Sequence, residues 1–220
     1  MRSLKMYRLL AVAALLGATG AAQATFTTYN TLAAFNAAVS APGLDTFDNL
    51  ALGTPTAGPL NRNAGAYTYR ATATGPLTLG NFFGAGVGAD HWLQTDLPTD
   101  SITFSNFGGG VKAIGAEFFG SDINGLFLAG QSILLEAIDA SGLLSTTLTN
   151  TTTGTFFGFV STGFVTSLKV TAVQGNFDVW PTVNNLRLAV TASNPGLPEP
   201  ASLALVAMGL LGCLGLRRRA

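Results

Sequence analysis

Apolar and polar residues alternate along much of the chain, in short runs that are separated by turn residues. Between residues 168 and 172, and again between 186 and 190, apolar positions recur at every second residue. This period indicates β-strands with one buried side and one solvent-facing side. The predicted strands are 44–47, 67–71, 92–94, 101–104, 111–119, 132–138, 143–148, 156–160, 165–172 and 186–190.

One segment near the start has helical periodicity instead. Over residues 31–39, Leu32, Phe35 and Val39 fall on one side of a helix, and Pro42-Gly43 is expected to end it. Many short strands with glycine-rich turns and a single short helix predict an all-β, jelly-roll-like β-sandwich. No strand set recurs at a fixed period, which excludes a propeller or a solenoid.

The first residues predict a targeting segment rather than part of this sandwich. Arg2, Lys5 and Arg8 precede an apolar run over residues 9–18, and Ala22-Gln23-Ala24 follows. A positive end, an apolar helix and an A-x-A site in this order are typical of a secretory signal peptide. We therefore expect residues 1–24 to engage the translocon and signal peptidase to cut after Ala24, so that Thr25 becomes the first residue.

The last residues have three parts in a similarly defined order. Pro198-Glu199-Pro200 precedes an apolar run over residues 201–216, and Arg217-Arg218-Arg219 follows. As a helix, that run would span about 24 Å, slightly less than a typical hydrocarbon core. We expect a transmembrane helix at about 201–216 with its arginine end in the cytoplasm. Residues 193–197 form a linker, and residues 198–220 form a sorting and anchor segment.

Charge is unevenly distributed between the ends and the body. Six of the eleven basic residues lie in the two end segments, together with one of the eleven acidic residues, Glu199. The body over residues 25–197 therefore carries five basic and ten acidic residues. A net charge of −5 argues against nucleic acid as a partner, because nucleic-acid binding needs a basic surface. The single cysteine, Cys213, lies in the C-terminal apolar run, so the body can form no internal disulfide.

The C-terminal segment resembles the PEP-CTERM sorting signal of Gram-negative bacteria. The match consists of Pro198-Glu199-Pro200, the apolar span and Arg217-Arg218-Arg219. The resemblance implies that the protein is an exosortase substrate. It implies export across the inner membrane, transient retention there, and release or transfer to the cell surface or the extracellular space. Proteins of this kind often occur where exopolysaccharide and a biofilm matrix are made, so exopolysaccharide is an expected partner.

The sequence of the body gives little indication of a catalytic site. Its single histidine, His91, lies between Asp90 and Trp92, and the many serines single out no nucleophile for a Ser-His-Asp arrangement. We therefore predict a non-enzymatic protein. The alternative is a secreted carbohydrate-active or other hydrolase on the same scaffold. It requires two carboxylates across a cleft or an assembled triad.

Two weaker patterns suggest ligands. Asp45 and Asp48 lie near the first predicted sandwich strand and Asp178 near the last, so the three carboxylates are candidate calcium ligands. Otherwise they are solvated turn residues, and no cofactor is needed. Trp92 and Trp180 are candidates for stacking on sugar rings, although aromatic residues in a sandwich more often belong to its core. The predicted role is structural, adhesive or carbohydrate-binding.

Overall fold

The computed structural model describes residues 25–140 and 142–192. The predicted signal peptide at residues 1–24, the linker at 193–197, and the sorting segment at 198–220 with its transmembrane helix lie outside these residues. Within the described part, no helix has the length and apolar character that crossing a membrane requires.

One helix and fifteen strands make up the described chain. The helix is α1 (Leu32–Ala38). The strands are β1 (Phe26–Tyr29), β2 (Val39–Asp45), β3 (Pro55–Thr56), β4 (Leu60–Ala64), β5 (Tyr67–Thr74), β6 (Phe82–Val87), β7 (Asp90–Thr95), β8 (Ser101–Ser105), β9 (Ala113–Ser121), β10 (Phe127–Leu128), β11 (Ile133–Asp139), β12 (Gly142–Leu148), β13 (Phe156–Ser161), β14 (Val165–Ala172) and β15 (Trp180–Thr191).

The strands form two sheets in which every pair of neighbouring strands is antiparallel. The larger sheet has the order β1-β13-β9-β15-β7-β6-β3, with β10 added on β9 and β2 added on β15. The smaller sheet has the order β12-β11-β14-β8-β5-β4. This arrangement confirms the predicted all-β class with one short helix, and it is β-sandwich-like.

The core lies between the two sheets because each strand turns its alternate apolar residues inward. In β5 the buried positions are Tyr67, Tyr69, Ala71 and Ala73, and residues from both sheets form one large buried cluster. A second cluster lies around Phe35 of α1, which packs against Phe156 with ring centroids 5.6 Å apart. The helix therefore closes one outer side of the larger sheet rather than entering the main core.

The helix is shorter than the sequence suggested. The Thr31 hydroxyl caps it by accepting a hydrogen bond from the amide of Ala34. It ends at Ala38, before Pro42-Gly43, because Val39 is already extended and pairs with Thr191 of β15. Pairing with a long neighbouring strand thus overrides the helical periodicity at Val39.

Most of the glycine-rich segment at residues 80–88 is a strand. Its composition predicts a flexible loop, but residues 82–87 form β6, which pairs with β7 along its whole length. Glycine is required here for space, since a Cβ on Gly84 would overlap the carbonyl oxygen of Ala51. Close backbone approach is a known reason for glycine within a strand.

Both described termini lie at one end of the sandwich. The amide of Thr25 donates to the Thr162 hydroxyl over 3.0 Å, and the amide of Ala192 donates to the Ala38 carbonyl over 3.1 Å. The loops around Ser121 and Trp180 lie at the other end, because these two residues pair where β15 begins. Thr25 and Ala192 therefore lie at the end of the sandwich opposite to Ser121 and Trp180.

Candidate functional site

Two depressions flank the edge strand β4 and share its polar side chains. The first has a volume of about 450 Å³, and the second of about 300 Å³. The first is lined by Leu44, Asp45, Thr46, Asp48, Asn49, Asn61, Arg62 and Asn63. The second is lined by Asn61, Arg62, Asn63, Thr68, Tyr69, Arg70 and Asn106. Almost all of these groups are hydrogen-bonding side chains, so both depressions suit a polar ligand.

A buried ion pair forms the wall between the two depressions. The Asp45 carboxylate accepts hydrogen bonds from Nε and Nη2 of Arg62, both over 2.7 Å. It accepts two more, from the Tyr69 hydroxyl over 2.6 Å and from the amide of Phe47 over 3.0 Å. Four donors therefore surround one carboxylate that is only 7% exposed. Because β2 belongs to the larger sheet and β4 and β5 to the smaller one, this cluster links the two sheets.

The surroundings of the pair explain how its charges persist under burial. Nη2 of Arg62 also donates to the side-chain oxygen of Asn49 over 2.7 Å, and its guanidinium lies 5.1 Å from the centre of the Phe47 ring. Burial lowers the pKa of Arg62, but the hydrogen bonds and charge of Asp45 outweigh it and raise that pKa. Burial, followed by the charge of Asp45, raises the pKa of Tyr69 far above its usual value.

The raised pKa of Tyr69 gives the fold a dependence on alkaline pH. Above about pH 10 the tyrosine ionises in the unfolded chain but stays neutral in the folded one. The unfolded state then binds fewer protons, so the free energy of unfolding falls by about 1.4 kcal/mol per pH unit from this group. In Tyr69→Phe this contribution is absent. Urea unfolding between pH 9 and pH 11.5 should show the stability advantage of the parent over Tyr69→Phe shrinking as pH rises. A constant difference would contradict the assignment.

The larger sheet carries a comparable but separate ion pair. Nη1 of Arg187 donates to both carboxylate oxygens of Glu117, over 3.2 and 3.3 Å, and the guanidinium lies 5.8 Å from the centre of the Phe156 ring. Burial raises the pKa of Glu117 by more than Arg187 lowers it. The pair lies outside both depressions and stabilises the irregular stretch of β15.

The three predicted calcium ligands do not come together. Asp45 is saturated by its four donors, and the Asp48 carboxylate accepts a hydrogen bond from the amide of His91 over 3.1 Å. Asp178 lines another hollow, beside Phe177 and Trp180. Asp45 pairs with Leu186, six residues along β15 from Trp180, which places that hollow roughly 20 Å away. Among the described residues, no group of three or more acidic, histidine or cysteine side chains could hold a metal. The prediction of this calcium site is therefore wrong.

The stacking prediction for the two tryptophans is also wrong. Trp92 is 3% exposed and Trp180 is 7% exposed. Each indole N–H donates to a backbone carbonyl, that of Gly125 for Trp92 and that of Asp96 for Trp180. Both rings fill the interior and fix loops, so neither offers a face to a sugar.

His91 lies on β7 with both ring nitrogens against the backbone. Nδ1 lies 2.9 Å from the Leu50 carbonyl oxygen and Nε2 lies 3.2 Å from that of Gly88. Asp48 contacts its amide rather than its ring. Within residues 25–140 and 142–192, no serine hydroxyl is bonded to this ring, and a neutral imidazole donates a hydrogen bond to one of the two carbonyls.

In the smaller sheet, β11 presents Leu134, Glu136 and Ile138 outward, whereas the outer side of β5, β8 and β14 is a polar surface that the sequence analysis did not single out. Its residues alternate with the buried ones of β5, β8 and β14 and are almost all hydroxyl-bearing or basic. We call this face the polar platform; it consists of Thr68, Arg70, Thr72, Thr74, Thr103, Ser105, Ser167, Lys169 and Thr171. Registers such as Thr72↔Thr103 and Lys169↔Thr103 align these side chains in rows across the strands. The alternation signal was present in the sequence, but the order of the strands was not.

Comparison with known proteins identifies a sorting motif at the C-terminal end of the chain. The family described as the PEP-CTERM protein-sorting motif matches residues 197–219. The chain therefore carries a PEP-CTERM sorting motif, which confirms the resemblance based on Pro198-Glu199-Pro200 and Arg217-Arg218-Arg219. The motif is that of an exported protein targeted by an exosortase. No curated protein and no solved structure matches the chain.

Proposed function

We propose that this is a surface or extracellular-matrix protein, processed by an exosortase, whose sandwich has a structural or adhesive, polysaccharide-binding role. The observation that carries the proposal is the sorting motif at residues 197–219, which follows directly on a folded β body. In this account the signal peptide is removed after Ala24. The segment at about 201–216 spans the inner membrane transiently, with the arginines in the cytoplasm.

The proposal includes a jelly-roll arrangement of eight of the strands. In the larger sheet the order β2-β15-β9-β13 places the first and last of the eight side by side. In the smaller sheet the order β8-β14-β11-β12 completes the set. After β8 the chain changes sheet five times, from β8 to β9, from β9 to β11, from β12 to β13, from β13 to β14 and from β14 to β15. Strands β3 to β7 are then an insertion that extends both sheets and forms the two depressions. These features support two interlocked Greek keys.

The polar platform and the adjacent depressions are the proposed polysaccharide-binding surface. Hydroxyl and amide side chains at regular strand spacing can exchange hydrogen bonds with sugar hydroxyls over several residues of a polymer. The surface lies along the side of the sandwich, whereas the chain leaves toward the sorting segment from one end. Processing of that segment would therefore leave the platform accessible.

The hydrolase alternative remains a prediction that the described contacts do not favour. Of the two carboxylates that line the first depression, Asp45 is neutralised by Arg62. A glycosidase needs one carboxylic acid and one free carboxylate facing each other across the bond that it cleaves. Release of reducing sugar from a polysaccharide bound to the platform would favour the alternative.

Replacement of Pro198-Glu199-Pro200 by three alanines tests the sorting part. We expect the variant to retain its C-terminal segment and to stay in the inner-membrane fraction, because the recognition motif is lost. Mass spectrometry of the protein from each cell fraction measures both effects. The matched control replaces Asn194-Pro195-Gly196, outside the matched region, and should be processed normally. Unchanged processing of the Pro198-Glu199-Pro200 variant would overturn the proposal.

A further inference from the structure

Arg70 is the one described cation that lacks a partner. Arg62 is paired with Asp45 and Arg187 with the partly buried Glu117, and Lys169 lies 3.5 Å from Glu136. Lys112 donates to the Thr162 carbonyl and lies over the Phe164 ring. Within the described chain, Arg70 has no ion pair, hydrogen-bond acceptor or aromatic ring. Its Nε is buried and has no acceptor.

Arg70 lies on the wall of the second depression, where a bound ligand would contact it. It lies on β5, where it pairs with Asn61 of β4 on one side and with Ser105 of β8 on the other. It lines the second depression together with Thr68 and Asn106. A buried donor without an acceptor costs free energy, because it has lost its water and gained nothing in return. A ligand oxygen in the depression would supply the missing acceptor after a rotation of the side chain.

We propose that Arg70 binds the anionic group of an acidic polysaccharide, a carboxylate or a sulfate, in the depression between β4, β5 and β8. This inference rests on the proposed polysaccharide-binding function and names the ligand class for it. A guanidinium presents a planar set of donors that fits two oxygens of such a group at once. The asparagine, threonine and serine side chains beside it provide neutral hydrogen bonds for the rest of the sugar.

Charge elsewhere on the body makes the site selective. The body carries ten acidic and five basic residues, so a polyanion is repelled by most of its surface. Arg70 lies on the platform and has no internal carboxylate that would compete with the ligand. Binding should weaken as salt is added, since a partly exposed charge pair is screened over about 8 to 10 Å at physiological ionic strength.

The test measures binding of the full chain, in a detergent without a sugar headgroup, to three immobilised polymers. They are polygalacturonate with carboxylates, dextran sulfate with sulfates, and neutral dextran. We expect at least one acidic polymer to bind more tightly than dextran, and Arg70→Gln to lose roughly tenfold of that affinity. Arg70→Lys keeps the positive charge but lacks the planar guanidinium donors, so it should lose part of the affinity. Lys112→Gln makes the same change in net charge away from the platform and should bind like the parent.

The outcomes separate the two claims. Equal binding of all three polymers, or an unchanged affinity in a folded Arg70→Gln, overturns the role of Arg70 and leaves polysaccharide binding in place. No binding to any polymer, on a wider glycan array as well, with or without calcium, overturns the polysaccharide-binding function itself. The preferred acidic polymer identifies the anionic group as carboxylate or sulfate. Circular dichroism of the three variants establishes that each is folded.

Discussion

Asp45→Asn should lower the free energy of unfolding by about 3–5 kcal/mol. The substitution keeps the shape of the side chain but removes the negative charge that Arg62 and Tyr69 share. Arg62 then retains the Asn49 oxygen and the Phe47 ring but stays buried without a counter-charge, and breaking a buried pair in this way is strongly destabilising. Urea unfolding at pH 7, monitored by tryptophan fluorescence, measures the change.

Asp48→Asn is the matched control for Asp45→Asn. It makes the same chemical change three residues away and at the edge of the same depression, but its exposed carboxylate accepts a hydrogen bond from the amide of His91 and has no counter-charge to stabilise. We expect a much smaller loss. If the two variants lost the same stability, the Asp45 cluster would not be the link between the sheets.

Phe35→Ala should cost about 3–5 kcal/mol of unfolding free energy, because it empties the centre of the second core cluster. Phe35 is fully buried, and its ring lies 5.6 Å from that of Phe156 and 6.2 Å from that of Tyr29. It is the one residue of α1 that is buried, so the helix loses its main attachment to the larger sheet. Thermal and urea unfolding measure the loss.

Two further variants examine the same contact. Gly158→Ala would place a Cβ 2.6 Å from Cδ2 of Phe35, so it should destabilise the parent through overcrowding. Combined with Phe35→Ala, the added methyl meets less resistance, and its cost should shrink or reverse. Strictly additive losses would contradict direct packing between α1 and β13. Ala34→Ser, at an exposed position on the same helix, should change little.

The pattern of apolar and polar residues along the chain predicted several strands and the side that each one buries. The alternation over residues 168–172 gave β14 with the expected buried side, and the apolar run over 132–138 gave the central strand β11. The next predicted strand, 143–148, was confirmed as well, since β12 pairs with β11 along its whole length. In each case the neighbours along the chain determine which side is buried.

The candidate site could not be predicted because its contacts are long-range. Asp45 was considered as a calcium ligand because nothing near it in sequence reveals Arg62 or Tyr69. Likewise, the isolated position of Arg70 appears only after every other cation has been matched with its partner. The tryptophans were misassigned for a related reason: composition cannot tell an aromatic ring that closes a loop from one that faces solvent.

The intact mass of the protein recovered from the outside of the cell tests the central claim most directly. The account predicts a chain that begins at Thr25 and has lost Arg217-Arg218-Arg219 together with most of the apolar run before them, with a larger mass if the new end is joined to another molecule. A recovered chain that still extends to Ala220 would contradict it.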